Sequence, residues 1–195
     1  MARPREFDES IVLDAAMQCF WENGYDATSV RDLARMMGLT SASLYNAFGT
    51  KRDLYRRALD YYIAQGFSAR AKRFESTLPP RDAIGAFFAE IIALSVSDKQ
   101  RKGCMLVNSA LELAPHDPEF RRVVAAVLRK VKGFFLRSVE AGQQNGTISR
   151  QYGAGDLAEL LLTVLLGMRV QARVNANRES LERLIRPIFG LMDDL

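Results

Sequence analysis

The chain is poor in the residues that build reactive or metal centres. Among its 195 residues are two cysteines and one histidine. Cys19 and Cys104 make no disulfide framework, so a reducing compartment is the natural setting. His116 has no second histidine to complete a metal-ligand spacing, so no metal is expected. There is no glycine-rich phosphate loop and no nucleophile–base pair, so catalytic residues and cofactors are not expected either. Long apolar runs are also missing. The richest, Leu160 to Met168, is short and is followed by Arg169 and Arg173, too little to span a bilayer. The first residues, Met1-Ala-Arg-Pro-Arg-Glu-Phe-Asp, hold no apolar signal core, so a cytoplasmic protein without a membrane partner is expected. Sustained period-two alternation is absent, which argues against strands.

What is present is helical periodicity along nearly the whole chain. The expected fold class is therefore all-α. Asp8 can cap a helix running to about Asn23, and two short helices are expected at about 29–36 and 41–47. Thr50 can cap a long helix from Lys51 to about Phe74, stopped at Thr77-Leu-Pro-Pro. An amphipathic helix is expected over about 82–96, then a polar loop to Gly103 and a short apolar helix from Cys104 to Leu113. Asp117-Pro118, an N-cap followed by proline at the first helical position, is a strong start signal. The helix it opens should end between Gly142 and Gly146. Two further helices are expected at Asp156–Val174 and Ser180–Met192. The division into domains is expected inside the long helix, giving residues 1–54 and 55–195.

The segment Thr28 to Tyr55 carries the function. Thr28 is a candidate N-cap and a candidate DNA contact, and Val30, Leu33, Ala34 and Met37 give the first short helix one apolar face. Gly38 sits where that helix should stop. The next helix bears Thr40, Ser41, Ala42, Ser43, Tyr45 and Asn46, small or polar groups suited to base edges and phosphates in a major groove. Leu44 and Phe48 should be core. This is a helix-turn-helix pattern, in which the second helix reads and the first crosses the backbone. The net charge of +4 does not add to the case. Through Arg57 the bases Arg3, Arg5, Arg31, Arg35, Lys51, Arg52, Arg56 and Arg57 are matched by Glu6, Asp8, Glu9, Asp14, Glu22, Asp26, Asp32 and Asp53. What counts is which face carries the cations. Arg3 and Arg5 form either a basic arm that follows a phosphate backbone or a solvated terminus. Arg31 can supply the guanine contact that the second helix, having no arginine, does not offer.

The order Thr28-Ser-Val-Arg-Asp-Leu-Ala, Gly38-Leu-Thr, Ser43-Leu-Tyr-Asn-Ala-Phe-Gly and Lys51-Arg-Asp-Leu closely resembles the N-terminal domain of the TetR family of bacterial transcription regulators. Ile11, Ala15, Ala16, Cys19, Phe20 and Gly24-Tyr25 fit the preceding helix. The resemblance implies a three-helix DNA-binding domain and a C-terminal helical bundle for effector binding and dimerisation. It implies phosphate contacts from Lys51 and Tyr45, double-stranded DNA as partner, and a ligand-responsive regulator, a repressor released from a palindromic operator by a small organic effector. The competing readings are a dimeric helical adaptor without DNA binding, and a repressor that senses oxidants or electrophiles through Cys104. That cysteine stands beside Arg101-Lys102-Gly103 at a helix start and is either a sensor thiol or an inert one.

Two more sites are expected from the downstream helices. The stretch from Asp156 to Val174 is apolar on both sides, so one side should face its own core and the other a second subunit. Leu157, Leu161, Val164, Leu165 and Met168 are the candidates for a homodimer seam, with Leu184 and Ile188 from the last helix. An effector pocket, implied by the resemblance, would draw on Phe67, Phe87, Phe88, Ile91, Phe134 and Met168 with the polar groups of Cys104, Asn108, Glu112 and Gln171. The plainer reading of those phenylalanines is that they fill the core.

Overall fold

The computed structural model describes residues 8–193. Among them every regular element is helical. Two compact units are present, the first ending at Gln65 and the second beginning at Gly66. Arg3 and Arg5 lie outside the described residues.

The first unit holds α1 (Glu9–Asn23), α2 (Val30–Met36), α3 (Ser41–Phe48) and α4 (Lys51–Ile63). Asp8 caps α1 by accepting from Ser10 N–H at 2.8 Å. The core joins Phe20 of α1, Leu33 of α2, Leu44 of α3 and Leu54, Tyr55 and Leu59 of α4, all buried. The Phe20 and Tyr55 rings meet edge to face at 4.8 Å, and Tyr25 joins Tyr55 at 5.1 Å. A boundary at residues 54–55 would cut through this buried face. The unit extends to Gln65 because Tyr55, Ala58, Leu59 and Ile63 all pack within it. Cys19 is core, as its place on the apolar face implied, and burial pushes its thiol pKa up.

The long helix expected from Lys51 is not uniform. After α4 the chain passes without a break through a π turn, Ala64–Ser68, into α5 (Ala69–Thr77). Such a turn carries an extra residue and occurs mostly as a single insertion, often at functional positions.

The second unit continues with α6 (Pro80–Ser97), α7 (Met105–Glu112), α8 (Pro118–Gln144), α9 (Ala154–Val174) and α10 (Arg178–Met192). Asp117 caps α8 as expected, accepting from Glu119 N–H at 2.9 Å, with Pro118 at the first position. Arg169 is 8 % exposed, and no carboxylate pairs with it among the described residues. Its guanidinium donates to Ser95 Oγ at 2.6 Å and to the Gly103 carbonyl. A buried charge needs such bonds, and here they fasten the loop after α6 to α9.

Helix α9 corrects the expected dimer seam. Leu157, Leu161, Leu165 and Met168 are buried inside their own unit, as is Ile188 of α10, while Val164 and Leu184 are half-buried. The exposed stripe lies on the opposite side: Leu160, Thr163, Gly167, Val170 and Val174. These residues are spaced alternately three and four apart, the pattern of a helix–helix seam. A helix apolar around its circumference does not declare in sequence which side its own core will take.

Candidate nucleic-acid interface

The reading helix is placed by its ends. Ser29, not Thr28, caps α2. Ser29 Oγ accepts from Asp32 N–H at 3.1 Å, and the Asp32 carboxylate accepts from Ser29 N–H and from Ser29 Oγ–H, completing a capping box. Thr28 is 2 % exposed, and its hydroxyl donates to the Gly24 carbonyl at 2.6 Å. It therefore fixes the turn before α2 and has no hydroxyl proton free for DNA. The Ser29-x-x-Asp32 spacing was the signal that distinguishes the two residues. Gly38 ends α2 with φ 64°, a conformation costly for a residue with a Cβ.

Thr40 caps α3, so its hydroxyl is spent locally: it accepts from Ser43 N–H at 3.1 Å and donates to Ser43 Oγ at 2.9 Å. Ser43 keeps its own hydroxyl proton for an outside acceptor. Leu44 and Phe48 are buried, as expected, and hold α3 against the unit. Opposite them Ala42, Ser43, Tyr45 and Asn46 are exposed and Ser41 is half-buried. Tyr45 is 49 % exposed. Arg31 is exposed at the start of α2.

A second capping box starts α4. Thr50 Oγ accepts from Asp53 N–H at 3.2 Å, and Asp53 accepts from Thr50 N–H at 2.9 Å. Gly49 precedes it with φ 78°, and a Cβ there would stand 2.8 Å from Asp53 Oδ2. The tight turn between α3 and α4 thus requires glycine. Lys51 does not project freely from this corner. Its Nζ sits 4.4 Å from the Tyr25 ring centroid and within 3.5 Å of the Asp26 carbonyl. An ammonium over a ring face is held in place but keeps protons to donate. Behind it Arg57 pairs with Glu9, lies over the Phe48 ring and so ties α1, α3 and α4 together.

The two boxes make the unit acid-sensitive. Hydrogen bonds from the Ser29 hydroxyl and backbone lower the Asp32 pKa, and bonds from Thr50 do the same for Asp53. A carboxyl whose folded pKa is depressed stabilises the fold above its ordinary pKa and loses that contribution as pH falls through the folded value. The thermal midpoint should therefore drop on acidification below the usual carboxylate range, and less so in the double variant Asp32→Asn, Asp53→Asn. Thr50→Ala should cost about 1 kcal/mol at neutral pH, measurable by urea unfolding.

The comparisons with known proteins agree with this geometry. The profile of bacterial regulatory proteins of the tetR family matches residues 12–58, and a tetracyclin repressor-like C-terminal domain matches residues 80–188. This chain belongs to the TetR family. The HTH-type transcriptional regulator YezE of Bacillus subtilis (strain 168) is 32 % identical to it over 197 residues, covering 99 % of this chain and 100 % of YezE. The HTH-type transcriptional repressor ComR of Escherichia coli (strain K12) is 30 % identical over 195 residues, covering 99 % and 92 %. A cysteine mutant of the TetR-family regulator CifR, solved with a 26-base-pair operator duplex, superposes with a TM-score of 0.86 at 29 % identity, covering 98 % of this chain and 100 % of CifR.

As a TetR-family member, this protein is an all-helical transcription regulator whose N-terminal unit binds double-stranded DNA. No helix among the described residues is long and apolar enough to cross a membrane. No group of histidine, cysteine, aspartate or glutamate that could hold a metal occurs among them either.

The phenylalanines expected to line an effector pocket pack against one another. Phe87, Phe88 and Phe134 are fully buried and pack on each other and on Phe135, with centroids 5.2 to 6.3 Å apart. They fill the second unit's core, as the plainer reading had it. Ile91 and Met168 are buried too. Asn108 is a structural bridge, donating to the Lys102 carbonyl at 3.1 Å and accepting from Arg173 at 3.0 Å. Glu112 and Gln171 are exposed, and Cys104 is a half-buried N-cap of α7. Phe67 lines a cleft between α5 and α8.

Proposed function

We propose that this TetR-family protein is a homodimeric cytoplasmic repressor that holds a palindromic operator and releases it when a small organic effector binds the second unit. The observation that carries the DNA half is the exposed face of α3, where Ala42, Ser43, Tyr45 and Asn46 stand clear while Leu44 and Phe48 anchor the helix. Asn46 is suited to bidentate pairing with adenine, and the Ala42 methyl to the thymine methyl. Tyr45, Ser43 and Lys51 are suited to phosphates, and Lys51 is held by Tyr25 at the start of α4, where the helix dipole also favours an anion. Arg31 is the candidate for guanine. ComR is named a repressor and CifR is bound to an operator, which supports repression through operator binding here. An adaptor without DNA binding would have no use for an exposed Tyr45–Asn46 pair.

The dimer rests on the exposed stripe of α9. Leu160, Val170 and Val174 are apolar and uncovered, Val174 at 74 %, and Gly167 between them lets a second helix approach closely. The test is a mobility shift with a duplex from immediately upstream of the protein's own coding region. Binding should weaken steeply between 50 and 200 mM salt, by about 10³-fold if six or more phosphates are neutralised. Binding indifferent to salt would contradict it. A second reading has Cys104 as the sensor, favoured by its N-cap position beside Arg101 and Lys102. Alkylating Cys104 should then weaken operator binding, and unchanged binding removes that reading.

A further inference from the structure

We propose that the cleft between α5 and α8 is the effector site and that it takes an amphipathic organic anion. The inference rests on the reading above, that this protein releases its operator to a small organic molecule. The cleft measures about 510 Å³, within the range of small-molecule sites. Its floor is apolar, formed by Phe67 and Ala71. Its walls carry Lys72 and Glu75 from α5 and Lys130 and Arg137 from α8. Glu75 is already engaged: Arg137 donates to its Oε1 from Nε at 2.9 Å and from Nη2 at 2.6 Å. Lys72 and Lys130 have no carboxylate partner among the described residues. The cleft therefore offers two uncompensated cations facing an apolar floor. A ligand that covers the floor with hydrocarbon or an aromatic ring and presents a carboxylate, sulfonate or phosphate to the lysines matches both features. A cation meets two like charges, and a neutral apolar molecule leaves both lysines unused.

The floor also touches the element that can report occupancy. Phe67 lies in the π turn Ala64–Ser68, which contains the junction of the two units at Gln65–Gly66. Phe67 meets Phe87 of the aromatic core at 6.1 Å, so its ring is held from one side and open to the cleft on the other. A π turn holds one residue more than the α-helix it interrupts. A ligand seated on Phe67 acts directly on that turn.

The test uses two fluorescent probes of nearly the same shape. 8-Anilino-1-naphthalenesulfonate carries the anion, and N-phenyl-1-naphthylamine has the same rings without it. The full-length protein should bind the sulfonate saturably and the neutral amine about tenfold more weakly, and the double variant Lys72→Gln, Lys130→Gln should lose about tenfold in sulfonate affinity while its affinity for the amine is unchanged. The sulfonate should weaken operator binding by the wild type and not by the variant. Equal sulfonate affinity in wild type and variant overturns the site. Sulfonate binding that depends on the two lysines but leaves operator affinity unchanged overturns its role as effector site. Operator binding without any probe is measured on the same samples, and its failure counts against the DNA-binding reading and not against the cleft.

Discussion

Gly167→Glu should give a folded monomer that no longer holds its operator. Nothing lies within 4 Å of where a Cβ would stand at Gly167, so the single chain accommodates the new side chain. Replacing glycine inside a helix also removes its entropic penalty. The glutamate falls in the middle of the exposed Leu160–Val174 stripe, where a second copy would have to bury it without a partner. Sedimentation at micromolar concentration should show a monomer with the wild-type circular dichroism spectrum. Operator affinity should fall by about 10²-fold or more, because two linked half-sites become two independent weak ones. Leu161→Ala makes the contrast. Leu161 is fully buried in its own unit, so this change should cost about 2–5 kcal/mol of stability while the surviving folded protein stays dimeric. If Gly167→Glu remains a dimer, the seam is elsewhere.

The second large effect separates positioning from reading on the first unit. Lys51→Ala should weaken every duplex alike and reduce the salt slope by about one. It removes both the donated bond and the charge that Tyr25 holds in place. Tyr25→Leu should reproduce part of that loss without removing a charge, since the ammonium then swings free. Asn46→Ala should leave the salt slope intact and cost about 1–3 kcal/mol at one base position only. Fluorescence anisotropy over a salt series, on the best site and on single-base variants of it, distinguishes the two. A uniform loss from Asn46→Ala would move it from the base edges to the phosphates.

Local chemistry made much of this fold legible. Asp8 and Asp117-Pro118 start helices where such residues should, and Leu44 and Phe48 are core because their spacing leaves them no other side. The helix-turn-helix and its exposed polar face followed from the same rules. Where two neighbours share a chemistry, sequence gave the wrong one. Thr28 and Ser29 can both cap, and the choice fell to Asp32, three residues after Ser29. Helix α9 is apolar on both sides, and the packing of α8 and α10 decides which side is inner. The π turn leaves no mark in Ala64-Gln-Gly-Phe-Ser that periodicity can register. Phenylalanines do not announce whether they line a space or fill it. Phe87, Phe88 and Phe134 fill it, and Phe67, at the edge of that cluster, lies beside open volume.

The central claim is that two copies of α3 read a symmetric DNA site. Selection of bound duplexes from a random pool, followed by sequencing, tests it most directly. The expected result is enrichment of an inverted repeat whose half-site centres lie about one helical turn apart, near 10–10.5 base pairs, or a multiple of that, with Asn46→Ala relaxing the same position in both halves. Enrichment of a single unrepeated motif, or of nothing, would contradict it.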